Sequence, residues 1–599
     1  MKFFRFIIVI IVAFTAASCA NRAAGPTGGP KDSIPPVVVR SSPLNGALNY
    51  KKKEIQVFFN ENVTLDKVTE NVVVSPPQKV QPVVKANAKV LTVSFQEDLQ
   101  DSTTYSILFG NAIVDLNEKN PLKNYVFSFA TGNEIDSLQV SGKLYDAENL
   151  DPVPNVIVGL HTNLNDTAIT TEQFVRIAKT DDDGEFVIGN VKEGSYKLYA
   201  LSDINRDFKY QPGEKVAFYD SIVVPEVNVI QQVDTLWKDS VTIDTIQFKT
   251  VQNFLPVGLK MRLFKETKKR QYLVKSERPD EKYFNLYFND KQDSLPEINP
   301  LNFDVSARFL IQKSINLDSL VYWIPDSNLY KQDTLMMEIK YKKSDSLFVL
   351  VPTIDTLKLA LRKQPVQSKG KSKVEANLVK PLSIKSNIAG SFDVYKSVLL
   401  ELDEPLALVD TQKIHLMQKV DTLFKSVEYS FAPHDSINRS FVITHKWIPQ
   451  QSYELIIDSA AMVSVFDRVS NAEKIPFKVK SLDEYSTLTI ILDSYDPLAV
   501  IQVIDSKETI IQSAKANQSG TVFEYIKPGD YFVRLFIDSN ENGIWDTGNL
   551  DTRIQPEEVM YFSKKLTLKA NWEMEESWNH LDPEWLFRKP EELMKTKKR

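Results

Sequence analysis

The sequence predicts an all-β protein built from tandem antiparallel β-sandwich modules, and three observations carry that prediction. Apolar and polar residues alternate with period two along most of the chain, as in Ile55-Gln-Val57-Phe-Phe59, Val90-Leu-Thr-Val93-Ser-Phe95 and Tyr125-Val-Phe127-Ser-Phe129. Turn residues separate these runs at intervals of roughly 8–12 residues, the spacing of a sandwich. Helical periodicity is scarce until the C-terminal tail.

Residues 1–19 read as a targeting segment. Lys2 and Arg5 give a positive start, and Phe6 to Phe14 (FIIVIIVAF) form an apolar core too short for a membrane span of about 20 residues. Small residues Ala16-Ala17-Ser18 then lead to Cys19, the only cysteine of the chain. Residues 20–36 (ANRAAGPTGGPKDSIPP) hold Gly and Pro without apolar period, the composition of a flexible tether that stiffens at Pro35-Pro36.

Composition limits the class of protein. A length of 599 residues suggests about four domains of roughly 150 residues, or more if they are small. Hydrophobic residues at 43% and charged residues at 25% describe a globular body. The net charge of -6, with both signs interleaved, gives nucleic acid no basic face to bind. If Cys19 is modified, the rest of the chain has no cysteine for a disulfide, so each module must fold on its own core.

Two modules occur twice. Residues 37–133 contain EIQVFFNENVTL, DSTTYSILFGNAIVDLNEKN and YVFSFATG, and residues 378–482 contain SVLLELDEPLAL, QQSYELIIDSAAMVSVFDRVSN and KIPFKVKS. Glu61 aligns with Glu404, Tyr105 with Tyr453 and Asp115 with Asp467, at offsets of 343 to 352. Residues 137–228 and 485–569 share a Gly turn (Gly184, Gly520), a second Gly turn (Gly194, Gly529), a strand opening at Tyr196 or Tyr531, and an Asx-rich loop from Asp203 or Asp538. Between the pairs lie a β-rich middle region, 229–363, expected to form one or two sandwiches, and a basic polar linker, 364–377. Residues 570–599 are an aromatic and charged tail with Trp572, Trp578, Trp585 and Phe587.

These residues carry family resemblances. Ser42-Pro43-Leu-Asn-Gly46-Ala47, the strand into Asn60-Glu61, Ser102-Thr103-Thr104-Tyr105, Ala112-Ile113-Val114-Asp115 and Phe127-Ser-Phe129-Ala-Thr131-Gly132 resemble the bacterial Ig-like domain of surface-layer proteins. Residues 380–481 look like a diverged copy without the Thr-Thr before Tyr453 or the terminal Thr-Gly. Residues 137–225 and 485–569 resemble the prealbumin-like repeats called carboxypeptidase-regulatory-like or collagen-adhesin B-type domains. The sequence around Cys19 resembles a lipobox, with Ala16 where Leu is commoner, and the whole arrangement resembles Ig-like lipoproteins common in Bacteroidetes. The resemblance implies lipidation at Cys19, anchoring to the cell outer membrane, and a structural or adhesive role. Several acyl chains hold a protein stably where one does not. No acidic run follows Cys19 of the kind that would suggest surface export, so the periplasmic face is the expectation.

Motifs that carry chemistry are few. His161, His415, His434, His445 and His580 do not pair at metal-ligand spacing, and no phosphate loop, nucleophile elbow or HExxH occurs. No enzyme is expected and no cofactor is required. The candidate ion sites are two Ca²⁺-like loops. Asp538, Asn540 and Asn542 hold positions 1, 3 and 5, with Gly543 at 6, Asp546 at 9 and Asn549 at 12. Asp203, Asn205, Asp207 and Glu214 hold 1, 3, 5 and 12, but Phe208 stands where the sharp turn wants Gly. Because each copy breaks the pattern at a different place, metal-free Asx turns are the favoured reading and structural calcium the alternative. Tyr210, Trp237, Trp323, Trp447 and Trp545 are candidate glycan-stacking aromatics spread over several modules, although Trp in sandwiches is usually core. The sequence thus predicts a lipid-anchored, non-enzymatic scaffold for envelope proteins, with glycan binding as the alternative.

Overall fold

A computed structural model describes residues 32–237, 243–266, 270–304, 306, 308–345, 349–361 and 380–594. Cys19, the signal segment, most of the tether and the linker at 364–377 lie outside the described residues. The chain is almost wholly β, and it divides into two compact units. One comprises residues up to Asp146 with Pro152–Leu263, and the other Ala147–Asp151 with Phe264 onward. No helix among the described residues is long and apolar enough to cross a membrane.

The first unit begins with an Ig-like sandwich. Strands Val38–Ser42, Glu54–Phe59, Val90–Ser94 and Val83–Asn87 form one antiparallel sheet in that order. Val73–Ser75, Thr104–Leu108 and Val126–Ala130 form the facing sheet. Along Glu54–Phe59 every second side chain is buried, so Ile55, Val57 and Phe59 enter the core between the sheets. Leu91, Val93, Tyr105, Ile107, Phe127 and Phe129 meet them from the other strands.

The next module takes a strand from beyond residue 228, the boundary expected from sequence. Its seven-stranded sheet runs Arg176–Lys179, Ile157–His161, Lys197–Leu201, Lys215–Phe218, Leu259–Lys265, Leu138–Asp146, Glu185–Val191. Leu259–Lys265, which alternation alone places in the middle region, pairs in parallel with Leu138–Asp146. A β-carbon added at Gly142 would stand 2.2 Å from the Leu259 carbonyl oxygen, so this parallel pairing requires glycine there. Between Lys215–Phe218 and this closing strand the chain makes an antiparallel hairpin, Glu226–Trp237 with Ile243–Leu255.

In the second unit residues 273–360 form one sandwich. Its sheets are Leu273–Asp280, Tyr283–Phe288, Ser319–Trp323 and Leu310–Lys313, and Glu297–Pro300, Thr334–Ser344 and Leu350–Ala360. Phe284 stacks on Tyr322 at 4.9 Å in its core. The second Ig-like sandwich then repeats the first. Ile384–Ser386, Val398–Leu402, Ser440–Thr444 and Ser430–Pro433 keep the order of the opening sheet of the first copy. The last module closes as its counterpart does: Glu573–Trp578 pairs in parallel with Ser486–Leu492, and Trp578 enters the core. That strand lies in what the sequence presents as a tail.

Side-chain detail recurs between the paired modules. The backbone N–H of Gln100 donates to the Tyr105 hydroxyl at 2.8 Å, and that of Ile448 to the Tyr453 hydroxyl at 3.1 Å, the same five-residue step. The Tyr196 hydroxyl donates to the Lys192 carbonyl at 2.8 Å, and the Tyr531 hydroxyl to that of Lys527 at 2.9 Å. One alignment changes. Val63 pairs with Asp115 where Leu406 pairs with Ser464, so Ser464, and not Asp467, occupies the place of Asp115.

Candidate functional site

Two kinds of polar site stand out: the paired Asx loops and the junctions between modules. In the first loop the Asp203 carboxylate accepts the N–H of Arg206 at 2.6 Å and that of Phe208 at 2.9 Å. In the second, Asp538 accepts the N–H of Asn542 at 3.1 Å and that of Gly543 at 2.7 Å. Both loops therefore wrap around an aspartate. Phe208 takes the turn with φ +61, much as Gly543 does with φ +81. The left-handed backbone costs Phe208 about 1–2 kcal/mol, and burial of its ring, only 6% exposed, offsets that.

A buried glutamate completes each loop. Glu214 accepts from Ile204 N at 2.8 Å and from Gln211 N at 3.0 Å. In the second loop the residue in this role is Glu557, which accepts from Ser539 N at 2.7 Å and Asp546 N at 3.0 Å. Sequence reasoning placed Asn549 there and missed Glu557. Asn549 instead makes a bridge with Ile554. The missed signal is the pair Gln211-Pro212-Gly213-Glu214 and Gln555-Pro556-Glu557-Glu558, which precedes an equivalent strand in both copies. Burial pushes the carboxyl pKa values of Asp203, Glu214 and Glu557 up, against the backbone hydrogen bonds that lower them.

The other candidates are held within the loops. Asn205 donates to Asp207 at 3.0 Å, and Asn540 and Asn542 donate to Asp546 at 2.6 and 2.5 Å. Among the described residues no three His, Cys, Asp or Glu side chains gather in a metal-holding group. Glu557→Ala is expected to lower the stability of the last module by about 1–3 kcal/mol, because it strands two backbone N–H groups. Urea unfolding checks this, and a variant as stable as the parent contradicts it.

The junctions are built differently in the two units. In the first, Arg176, 6% exposed, reaches from the module with the seven-stranded sheet into the Ig-like one. Its guanidinium donates to the carbonyls of Thr104 at 2.5 Å and Ser75 at 3.3 Å and pairs with Asp136 at 3.2 Å. Beside it Ile177 N donates to the Ser75 hydroxyl at 3.0 Å. Asn190 accepts from the hydroxyls of Ser106 and Ser128, both at 2.9 Å, and donates to the Asp136 carbonyl at 2.8 Å. Polar groups of two modules thus satisfy one another across a single contact.

In the second unit the corresponding junction turns on Asp393. Its carboxylate takes Lys396, Lys480 and the Tyr485 hydroxyl, each at 2.8 Å. Burial opposes its charge, but these three donors outweigh burial and hold the carboxyl far below the usual carboxylate range. Tyr395 stacks on Tyr525 at 5.4 Å, with Tyr485 edge-on to both. A further junction joins the middle sandwich to the second Ig-like one. Glu404 accepts from Lys282 at 2.6 Å and pairs with Arg468 at 2.9 Å, and Phe466 lies against Trp323 and Tyr330. Glu61, its counterpart in the first copy, meets Asp115 and Asp32 instead, and burial with these two neighbours raises its pKa.

The remaining candidates are structural. His161 is 1% exposed between Phe174 and Tyr199, and burial pushes its pKa down to about 4, so it is neutral near pH 7. His445 contacts the Glu428 carbonyl, and His415 an exposed Asp458. Tyr210, Trp323 and Trp447 are buried, and the Trp545 indole donates to the Glu557 carbonyl at 3.0 Å. The Trp237 side chain lies outside the described residues. The described aromatics nominated for glycan stacking therefore form no open platform.

Residues 32–131 match the bacterial Ig-like domain family. The match covers the first sandwich of the first unit. No curated protein matches the chain. Among solved structures, the N-terminal part of the bacterial S-layer protein SbsC is 12% identical, with 37% of this chain and 45% of that one covered and a TM-score of 0.13. The chain thus spans less than half of that relative. SbsC domains 1-6 is 11% identical over 90% of this chain and 68% of that one, TM-score 0.13. A Bacteroides ovatus protein of a mixed-linkage glucan utilization locus, SGBP-B in complex with a mixed-linkage heptasaccharide, is 10% identical over 62% of this chain and 81% of that one, TM-score 0.15. Likenesses at these scores do not bear on ligand or partner.

Proposed function

We propose that this chain is a non-enzymatic scaffold of the bacterial cell envelope, anchored to the outer membrane by lipid on Cys19 and facing the periplasm. Its modules are coupled within each unit so that surfaces are presented to envelope proteins in fixed orientation. The observation that carries this reading is the Arg176 junction, where the guanidinium of one module is spent on the backbone carbonyls of the next. A loosely strung chain would leave such a contact wet and weak. The buried His161 and the Asx loops closed by backbone N–H groups add no acid, base or nucleophile to it. The loops serve here as hydrogen-bonded staples, so melting should be the same in EDTA as in roughly millimolar Ca²⁺. A rise in melting temperature with Ca²⁺ would assign them to calcium.

Metabolic labelling with palmitate tests the anchor. The parent should incorporate label and sediment with membranes, whereas Cys19→Ser should be unlabelled and soluble. An unlabelled parent overturns the lipoprotein reading.

A further inference from the structure

The first Asx loop has a second use, because it forms one wall of a cleft inside the first unit. The cleft, of about 210 Å³, lies between the Ig-like and prealbumin-like modules. Its apolar side consists of Val72, Val74 and Val84 from the first module, and Ile157, Leu201 and Phe208 from the second. Two cations stand at it, Lys179 and Arg206. Among the described residues Lys179 donates only to the backbone carbonyl of Glu70. Arg206 engages its backbone N–H with Asp203, and its guanidinium has no hydrogen-bond or ion-pair partner among the described residues.

The acidic groups nearby do not neutralise this pair. Asp203 faces the backbone of its own loop, and Glu70 leans toward Lys67 at 3.9 Å on the same helical turn. Burial and the charge of Arg206 lower the Lys179 pKa, and together they outweigh the opposing charge of Glu70. A part-buried cation with an exposed one beside it, next to an apolar wall, suits a ligand with one anionic end and an apolar body.

We propose that this cleft binds a small amphipathic anion, its carboxylate between Lys179 and Arg206 and its apolar portion against Val72, Val84 and Phe208. Arg206, whose backbone is left-handed at φ +64, lines this cleft from the Asx loop. This goes beyond the scaffold reading and does not depend on it.

Isothermal titration of the full chain with octanoate tests the proposal, with octan-1-ol and inorganic phosphate as separate titrants. Octanoate should bind at one site, and octanol and phosphate each at least about tenfold more weakly, since each lacks one half of the recognition. Arg206→Gln, which leaves the backbone contact to Asp203 in place and removes a guanidinium with no other partner among the described residues, should weaken octanoate about tenfold without changing the melting temperature. Val84→Trp, which fills the cleft, should abolish binding. Equal affinity for octanoate and octanol, or unchanged octanoate binding in both variants, overturns the proposal. Binding of phosphate as tight as octanoate would likewise refute an amphipathic site.

Discussion

Arg176→Met is expected to destabilise the first Ig-like module and the module that follows it together, by about 3–5 kcal/mol. Methionine fills much of the volume but supplies no donor. It leaves Asp136 as an uncompensated, largely buried charge and returns no hydrogen bond to the carbonyls of Thr104 and Ser75. The residue sits in Arg176–Lys179, a strand at the edge of its own sheet, so the substitution disturbs the junction more than either core. Arg176→Lys should recover only part of the loss, because a single ammonium cannot reach both the carbonyls and the carboxylate in the planar geometry of a guanidinium. Guanidinium unfolding followed by circular dichroism measures both. A methionine variant within about 0.5 kcal/mol of the parent, the range of a surface substitution, would show that the contact is dispensable.

Asp393→Ala is expected to cost about 2–3 kcal/mol near neutral pH, in the second Ig-like module and the module after it. Two of its partners, Lys396 and Lys480, retain enough exposure to regain water, which keeps the cost below that of a fully buried pair. The sign of the pH dependence is fixed by the lowered carboxyl pKa. Such a group contributes stability that is fully present above the unfolded value of about 4 and is lost as pH falls toward the folded value. The gap between parent and variant should therefore be constant from pH 7 to 5 and shrink below about pH 4. Asp203, Glu214 and Glu557 act in the opposite sense, since their pKa values are raised. Each is neutralised in the folded chain before the unfolded one, so acidification from neutrality toward about pH 4 favours folding at these loops. Unfolding curves of parent and variant across this range check the signs, and a gap that widens on acidification contradicts them.

The all-β architecture was legible because alternation is a local signal, written in runs such as Glu54–Phe59 that bury one face. Closing strands were not legible. Leu259–Lys265 and Glu573–Trp578 each pair in parallel with a strand far back in the chain, and local patterning shows a strand without showing its partner. Glu557 escaped notice because the second loop is longer: Glu214 follows Asp203 by eleven positions, and Glu557 follows Asp538 by nineteen. Its equivalence rests on sheet register, since Leu201 pairs with Val216 as Phe536 pairs with Val559. Register also replaced Asp467 by Ser464 as the counterpart of Asp115.

The junction residues were the least visible of all. Arg176 opens a short edge strand, where a charged side chain reads as solvent-facing, and contact with the neighbouring module buries it. Asp393 likewise gives no sign in sequence that Lys480 and Tyr485, some ninety residues on, will close over it. The two copies of the module pair keep their internal tyrosine hydrogen bonds and change their junction chemistry. Cores are therefore the preserved feature of the duplication, and each junction is an independent solution.

Hydrogen exchange of the full chain, read by mass spectrometry at increasing denaturant, measures module coupling most directly. Thr104–Leu108 in the Ig-like sheet and Arg176–Lys179 in the adjoining module should open with one shared free energy in the parent. In Arg176→Met they should separate into two. Independent opening of these strands in the parent, or a shared value that survives the substitution, would contradict a scaffold of coupled modules.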